Sequence, residues 1–180
     1  ENQIGQSENL QIDCLQDMGK ALGNENNRLW EMRNGYALAT KEGLEYISNH
    51  IQSMSPKEKD ELRATLRIGL QWNTQVTLQD SQHLVSQAYC SALPLAYSRH
   101  SPQLWADVAQ VVLEASYEAT FAAAALNFEK TGNPKVFLTL VGGGAFGNPS
   151  AWIFGALRRA VGLFSDVPWA VGIVRDGSSY

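Results

Sequence analysis

The sequence predicts an α/β domain with a mostly parallel sheet, and three observations carry that expectation. Residues 66–180 alternate short apolar, strand-like runs with amphipathic, helix-like ones. Lys135 to Val141 is almost continuously apolar, as a strand covered on both faces requires. A glycine run, Gly142-Gly143-Gly144, separates it from the next helical stretch. Strands joined through helices in this way lie parallel and are linked by right-handed crossovers. At 180 residues the chain is expected to be one domain with a substantial core. It divides by texture into a mainly helical part, 1–65, and an alternating part, 66–180.

Taken in order, Ser7-Glu8-Asn9-Leu10 reads as a helix start, followed by Leu10, Cys14, Leu15, Met18 and Leu22 at helical spacing. Gly23 to Asn27 breaks that helix. Leu29 to Leu38 holds a short strand around Asn34-Gly35. Thr40 to Met54 is a second helix with Leu44, Ile47 and Ile51 on one stripe. Ser55-Pro56-Lys57-Glu58 combines an N-cap, a first-turn proline and the glutamate of a capping box. Leu66 to Leu78 reads as a strand running into a loop, and Val85 to Tyr97 as a second extended stretch that Pro94 marks as an edge or an end. Pro102 to Phe128 is a long helix whose inner stripe is Leu104, Val108, Val111, Ala115, Ala122 and Leu126, closed by Gly132-Asn133-Pro134. Beyond the glycine run, Asn148 as N-cap and Pro149 open a helix with the stripe Ile153, Ala156, Leu157, Ala160, Val161 and Phe164. Trp169 to Val174 is a final buried strand.

Composition narrows the function classes. The formal net charge is −4 and no basic run is present, which argues against nucleic acid and anionic membrane surfaces as partners. Cys14 and Cys90 belong to no Cys-x-x-Cys pair and read as reduced thiols, so a cytoplasmic location is expected. The polar start, Glu1 to Leu10, does not read as a signal peptide, and no apolar run is long enough to span a bilayer. His50, His83 and His100 are scattered, so no metal is expected. No cofactor is expected either.

The feature with chemical content is the loop Gly142-Gly143-Gly144-Ala145-Phe146-Gly147-Asn148. It sits between a buried strand and a helix start, where free N–H groups and the helix dipole favour a phosphate or pyrophosphate. Glycines there let backbone approach a ligand closely. A glycine-rich turn that only permits tight packing is the plain alternative. A Walker A loop needs Gly-Lys-Ser/Thr at its end, and Gly147 is followed by Asn148-Pro149. Gly142-x-Gly144-x-x-Gly147 satisfies the dinucleotide fingerprint in letters, which keeps an NAD-type oxidoreductase domain as an alternative. That fingerprint opens the first βαβ unit, however, whereas here it falls in the last one, and the next acid in line with a strand end is Asp176.

Gly144-Ala145-Phe146-Gly147-Asn148-Pro149 resembles the second phosphate loop of macrodomains, Gly-x-Tyr/Phe-Gly-x-Pro after a buried strand. Asn34-Gly35-Tyr36, Val85 to Pro94, Tyr117-Glu118-Ala119-Thr120 and Leu138 to Gly144 are similar to a divergent macrodomain group. It includes a bacterial effector that removes ADP-ribose from ubiquitin, and eukaryotic relatives. The resemblance implies a three-layer α/β/α fold, ADP-ribose or an ADP-ribosylated protein (ubiquitin among the candidates) as partner, the loop backbone on the diphosphate, and Phe146 on a ribose. The ordinary Asn-Ala-Ala-Asn strand end and first glycine loop of macrodomains are absent from the sequence. The chain is therefore expected to be an incomplete domain, one that carries the diphosphate cradle without all the catalytic carboxylates.

Other residues are candidates for chemistry. Glu118 falls on the inner stripe of its helix, where a carboxylate must be partnered, at an edge or neutral. It is either a structural partner or the general acid/base of an ADP-ribosyl glycohydrolase. Asn73 and Gln75, at a strand end, offer amides to a ribose or adenine. Gln87 and Ser91 share a strand face and suit core hydrogen bonding. Cys90 with His100 makes a thiol-nucleophile pair only on paper, since nothing in the sequence activates the thiol. Trp152 reads as core or as a ligand cover, and Arg175 to Tyr180 as an adenine contact or a frayed end. The function expected is ADP-ribose binding with hydrolysis if the acids are present; the alternatives are a non-catalytic reader, an inactive remnant and the dinucleotide-binding oxidoreductase.

Overall fold

The structure, a computed structural model, describes residues 11–78 and 81–174. The expected helix start at Ser7 to Leu10 and the Arg175 to Tyr180 stretch lie outside the described residues. The first part opens with α1 (Gln16–Leu22), then a hairpin of β1 (Trp30–Arg33) and β2 (Tyr36–Ala39). Asn34-Gly35 is not strand, as the sequence reading had it, but the turn of this hairpin. Both residues have positive φ, 49° and 80°, the backbone that lets a two-residue turn match the twist of its strands.

Two helices follow as their local signals require. α2 (Lys41–Ser53) starts at Thr40, whose hydroxyl accepts from the Gly43 N–H at 3.0 Å, and it buries Leu44, Ile47 and Ile51. α3 (Pro56–Arg63) carries both bonds of the expected capping box between Ser55 and Glu58.

The second part is β3 (Gly69–Gln75), β4 (Leu84–Tyr89), α4 (Pro102–Thr131), β5 (Lys135–Leu138), α5 (Ser150–Leu163) and β6 (Ala170–Ile173). α4 has 30 residues, about 45 Å of helix, and is the spine of the molecule. Its middle is buried all round, with Val111, Val112 and Leu113 consecutively inside. That is how a helix behaves when elements cover it on several sides. One apolar cluster joins α1, the β1–β2 hairpin, α2 and the N-terminal half of α4. A second joins the C-terminal half of α4 to β5 and α5. Trp152, half-buried, packs against both clusters.

The fold is mixed α/β, but the expected mostly parallel sheet is corrected. The described strands form three two-stranded sheets: β1–β2 and β3–β4 antiparallel, β5–β6 parallel. The reason is connectivity. β3 and β4 are joined directly as a hairpin, which makes them antiparallel, whereas β5 and β6 are joined through α5, a crossover that allows parallel pairing. The expectation that β5 is covered on both faces is corrected as well. Val136 and Leu138 are buried toward α4 and α5, while Phe137 between them is 71% exposed. β6 is largely exposed rather than buried. On α4, Ala122 and Leu126 face out, and Phe121, one helical turn after Tyr117, takes the inner position instead. On α5, Val161 is likewise exposed.

Candidate functional site

The glycine loop lies at the carboxyl end of β5, the parallel strand. Gly142, Gly144 and Gly147 all have positive φ, 82°, 62° and 71°. At Gly142 a Cβ would stand 2.5 Å from the Ala92 Cβ, and at Gly147 it would stand 3.1 Å from the Ala96 Cβ. Those two glycines therefore serve both conformation and packing. Gly144 differs: a Cβ there would meet nothing within 4 Å. Its conformation needs glycine, and the space over it is open.

The loop's N–H groups divide into two sets. Those of Val141, Gly143, Gly147 and Asn148 donate to Thr139, Leu140, Gly144 and Gly142 carbonyls. Those of Gly144 and Ala145 have no partner among the described residues. The same is true of Ser150 and Ala151 at the start of α5, where the first carbonyl to accept, that of Pro149, takes Trp152 and Ile153. Both pairs of residues are exposed. The segment thus carries four unpaired backbone donors on exposed residues, two in the 3-10 turn Gly144–Phe146 and two at the N-terminus of α5, where the helix dipole adds partial positive charge.

Two side chains hold this backbone in shape. The expected N-cap role of Asn148 is corrected: Pro149 occupies the cap position and no side chain caps α5. Asn148 is buried instead, and its amide donates to the Leu93 carbonyl at 2.9 Å and to the Gly142 carbonyl at 3.1 Å. Tyr117, fully buried in α4, donates to the Thr139 carbonyl at 2.8 Å and accepts from the Val141 N–H at 2.9 Å. Burial pushes its phenol pKa up against the opposing effect of the Val141 bond, so the hydroxyl stays neutral and can play both parts. Nothing in the spacing around Tyr117 signals this role. A long-range contact such as Tyr117 to Val141 leaves no periodic signal.

Phe146 does not stand alone. Its ring centroid lies 6.0 Å from Tyr36 and 5.7 Å from Tyr97, and those two are 5.4 Å apart, all three pairs edge-to-face. Sequence reasoning gave Tyr36 and Tyr97 no place at the site.

The structure does not bring Asn73 and Gln75 to the loop. In the β3–β4 register Gly69 pairs with Tyr89, and Gln75 pairs with Leu84. The end of β4 leads to Ala92, which touches the loop, so Gln75 is at the far end of the hairpin. The Asn73 N–H approaches Ser86 Oγ, and Ser86 lies about 10 Å of strand short of the β4 end at Tyr89. Neighbouring Trp72 sits under the Lys130 ammonium at 5.3 Å, near the end of α4 that leads into the start of β5. Gln87 is exposed, accepting from the Tyr89 hydroxyl, and Ser91 bonds to the Ala92 carbonyl, so neither is a core hydrogen-bonding group.

Glu118 has a partner. Its carboxylate accepts from Arg159 Nε at 2.5 Å, and the same guanidinium reaches Asp60. Alongside, Arg63 bonds to both Asp60 and Glu114, so the network ties α3, α4 and α5 together. Burial works against the Arg159 charge, but the bond from Glu118 and the charges of Asp60 and Glu114 outweigh it and raise its pKa. Cys14 and Cys90 are both free thiols. Burial pushes the Cys90 thiol pKa up, the wrong direction for a nucleophile, despite the neighbouring hydroxyls of Thr120 and Ser116.

Among the described residues no group of three or more His, Cys, Asp or Glu could hold a metal ion, and no helix is long and apolar enough to cross a membrane. Among the described strands, β5 pairs with β6 alone, so the loop does not open a longer parallel sheet of the dinucleotide-binding kind. Compared with known proteins, the chain matches no family model, no curated protein and no solved structure.

Proposed function

We propose that this chain binds ADP-ribose, free or attached to a protein such as ubiquitin, with the diphosphate on the loop 142–148 and a ribose against Phe146. We propose with it a macrodomain-like arrangement of the second part. One observation carries the reading: the N–H groups of Gly144, Ala145, Ser150 and Ala151 are unpaired among the described residues, and the space over Gly144 is open. Neutral, preorganised backbone donors suit a diphosphate, whose charge is spread over several oxygens. The aromatic neighbours of Phe146 favour a ligand with a sugar or base beside its phosphates.

Binding without hydrolysis is the form of this function that the side chains support. Hydrolysis of a ribosyl linkage calls for a carboxylate that can exchange a proton or activate water at the ribose carbon. The one acid the sequence nominated for that work, Glu118, is committed to Arg159. Calorimetric titration with ADP-ribose, NAD and AMP tests the proposal, with ADP-ribose expected to bind tightest. Absence of heat with all three up to millimolar concentration would remove the binding function.

A further inference from the structure

Three aromatic rings meet beside the glycine loop although nothing in the local sequence joins them. Tyr36 begins β2, Tyr97 ends the short 3-10 turn Leu95–Tyr97, and Phe146 ends the 3-10 turn Gly144–Phe146. Each position is set by constrained backbone. Tyr36 follows the Asn34-Gly35 turn, Tyr97 follows Pro94, and Phe146 lies between the left-handed Gly144 and Gly147. The 3-10 turn carrying Tyr97 is seated on the loop itself, with Ala96 against Gly147.

The trio is not a piece of core. Phe146 packs on the second apolar cluster, but Tyr36 and Tyr97 belong to neither cluster. Tyr36 remains 36% exposed and Tyr97 53% exposed. Neither phenol hydroxyl bonds to a described residue. The rings thus form an exposed aromatic surface whose hydroxyls are free to bond outward, and Phe146 shares its turn with the unpaired N–H groups of Gly144 and Ala145. Aromatic faces repel phosphate oxygens and accept the C–H faces of sugars or the planes of bases.

We infer that Tyr36 and Tyr97 are specificity-determining residues of the loop site: they take the sugar or base next to the phosphates and so select a nucleoside diphosphate over inorganic pyrophosphate. This rests on the binding function proposed above and gives it a part that the loop alone lacks. The loop fixes the anion, and the two tyrosines, one of them from the helical first part of the chain, fix what the anion is attached to. Selectivity and anion affinity then reside on different residues and can be separated by mutation.

The test is calorimetric titration of the full chain and of Tyr36→Ala, Tyr97→Ala and the corresponding Phe variants with ADP-ribose and with pyrophosphate. Both tyrosines are on the surface, and circular dichroism checks that the variants fold. Wild type is expected to prefer ADP-ribose over pyrophosphate by about tenfold or more, the worth of one base or sugar stacked on a ring. Each Ala variant is expected to lose most of that preference with its pyrophosphate affinity unchanged, and the Phe variants to keep it. Equal wild-type affinity for the two ligands overturns the selectivity while leaving the anion site standing. Ala variants that keep the preference, or that lose both ligands in the same proportion, overturn it too. Failure of wild type to bind either ligand removes the site altogether.

Discussion

Asn148 donates twice to the carbonyl of Gly142, from its backbone N–H at 2.9 Å and from its side-chain amide at 3.1 Å. The oxygen that closes the loop on itself is therefore held by one residue from two directions. The same amide reaches the Leu93 carbonyl, which pins the loop to the segment after β4. Asn148→Ala removes both side-chain bonds in a buried place. We expect a loss of about 1–3 kcal/mol in denaturant unfolding, the worth of two side-chain hydrogen bonds, together with weaker ADP-ribose binding; both carbonyls keep a backbone donor, Asn148 N–H on Gly142 and Leu95 N–H on Leu93. Unchanged stability would show that the clamp is idle.

The glycines separate packing from ligand access. Gly142→Ala forces a Cβ onto Ala92 at positive φ and should cost about 2–5 kcal/mol. Gly144→Ala meets open space and should cost only the conformational part, about 1–2 kcal/mol. Binding should nonetheless fall in the Gly144 variant, because the new methyl group enters the space over the donors. Thermal unfolding and calorimetry on the two variants check the contrast. A Gly144 variant that binds normally would put the ligand elsewhere.

Glu118 and Arg159 join α4 to α5, and Arg159 carries the link on to Asp60 in the middle of α3. Glu118→Gln keeps the shape of the side chain and removes its charge. It should destabilise by about 1–2 kcal/mol and leave ADP-ribose affinity unchanged, and Arg159→Gln should act through the same link. A double-mutant cycle of unfolding free energies reads the coupling. Loss of ligand binding or of ADP-ribose release in Glu118→Gln, at unchanged stability, would instead assign Glu118 to the chemistry.

Asp17 accepts from Arg67 at 2.6 Å, a contact between α1 and the approach to β3. The Arg67 bond, then that of Lys20, holds the Asp17 carboxyl below its ordinary pKa. A carboxyl depressed in the folded state adds stability that is complete above its unfolded pKa and disappears as pH falls through the folded one. Asp17→Asn should therefore lower the melting temperature slightly at neutral pH and cease to matter in strong acid. Arg67 is exposed and Asp17 only half-buried, so the effect is small and should shrink with added salt. A difference that persists at the lowest pH would trace to something other than this charge.

Much of the helical frame was legible in the sequence because its signals are local. The Ser55-Glu58 capping box and the Leu44, Ile47, Ile51 stripe need only neighbours within a turn or two, and both stand as expected. The same locality misled where partners lie far off. Ala122 continues the α4 stripe by spacing, yet faces solvent, because α5 and β5 approach that part of the helix along the side of Tyr117 and Phe121. Asn73 looked like a ligand amide at a strand end, and direct hairpin connection sent that end away from the loop.

The sequence by itself determined the glycine loop: three glycines between an apolar run and a helix permit left-handed backbone and leave N–H groups open, whatever surrounds them. Tertiary structure decided the rest of the site. It turned Asn148 from a cap into a clamp, gave Tyr117 both ends of the Thr139–Val141 turn, engaged Glu118 with Arg159, and set Tyr36 and Tyr97 beside Phe146. Each of these joins residues distant in the chain. Such contacts exist only once α4 has brought both parts of the molecule against it, and no spacing rule along the chain encodes them.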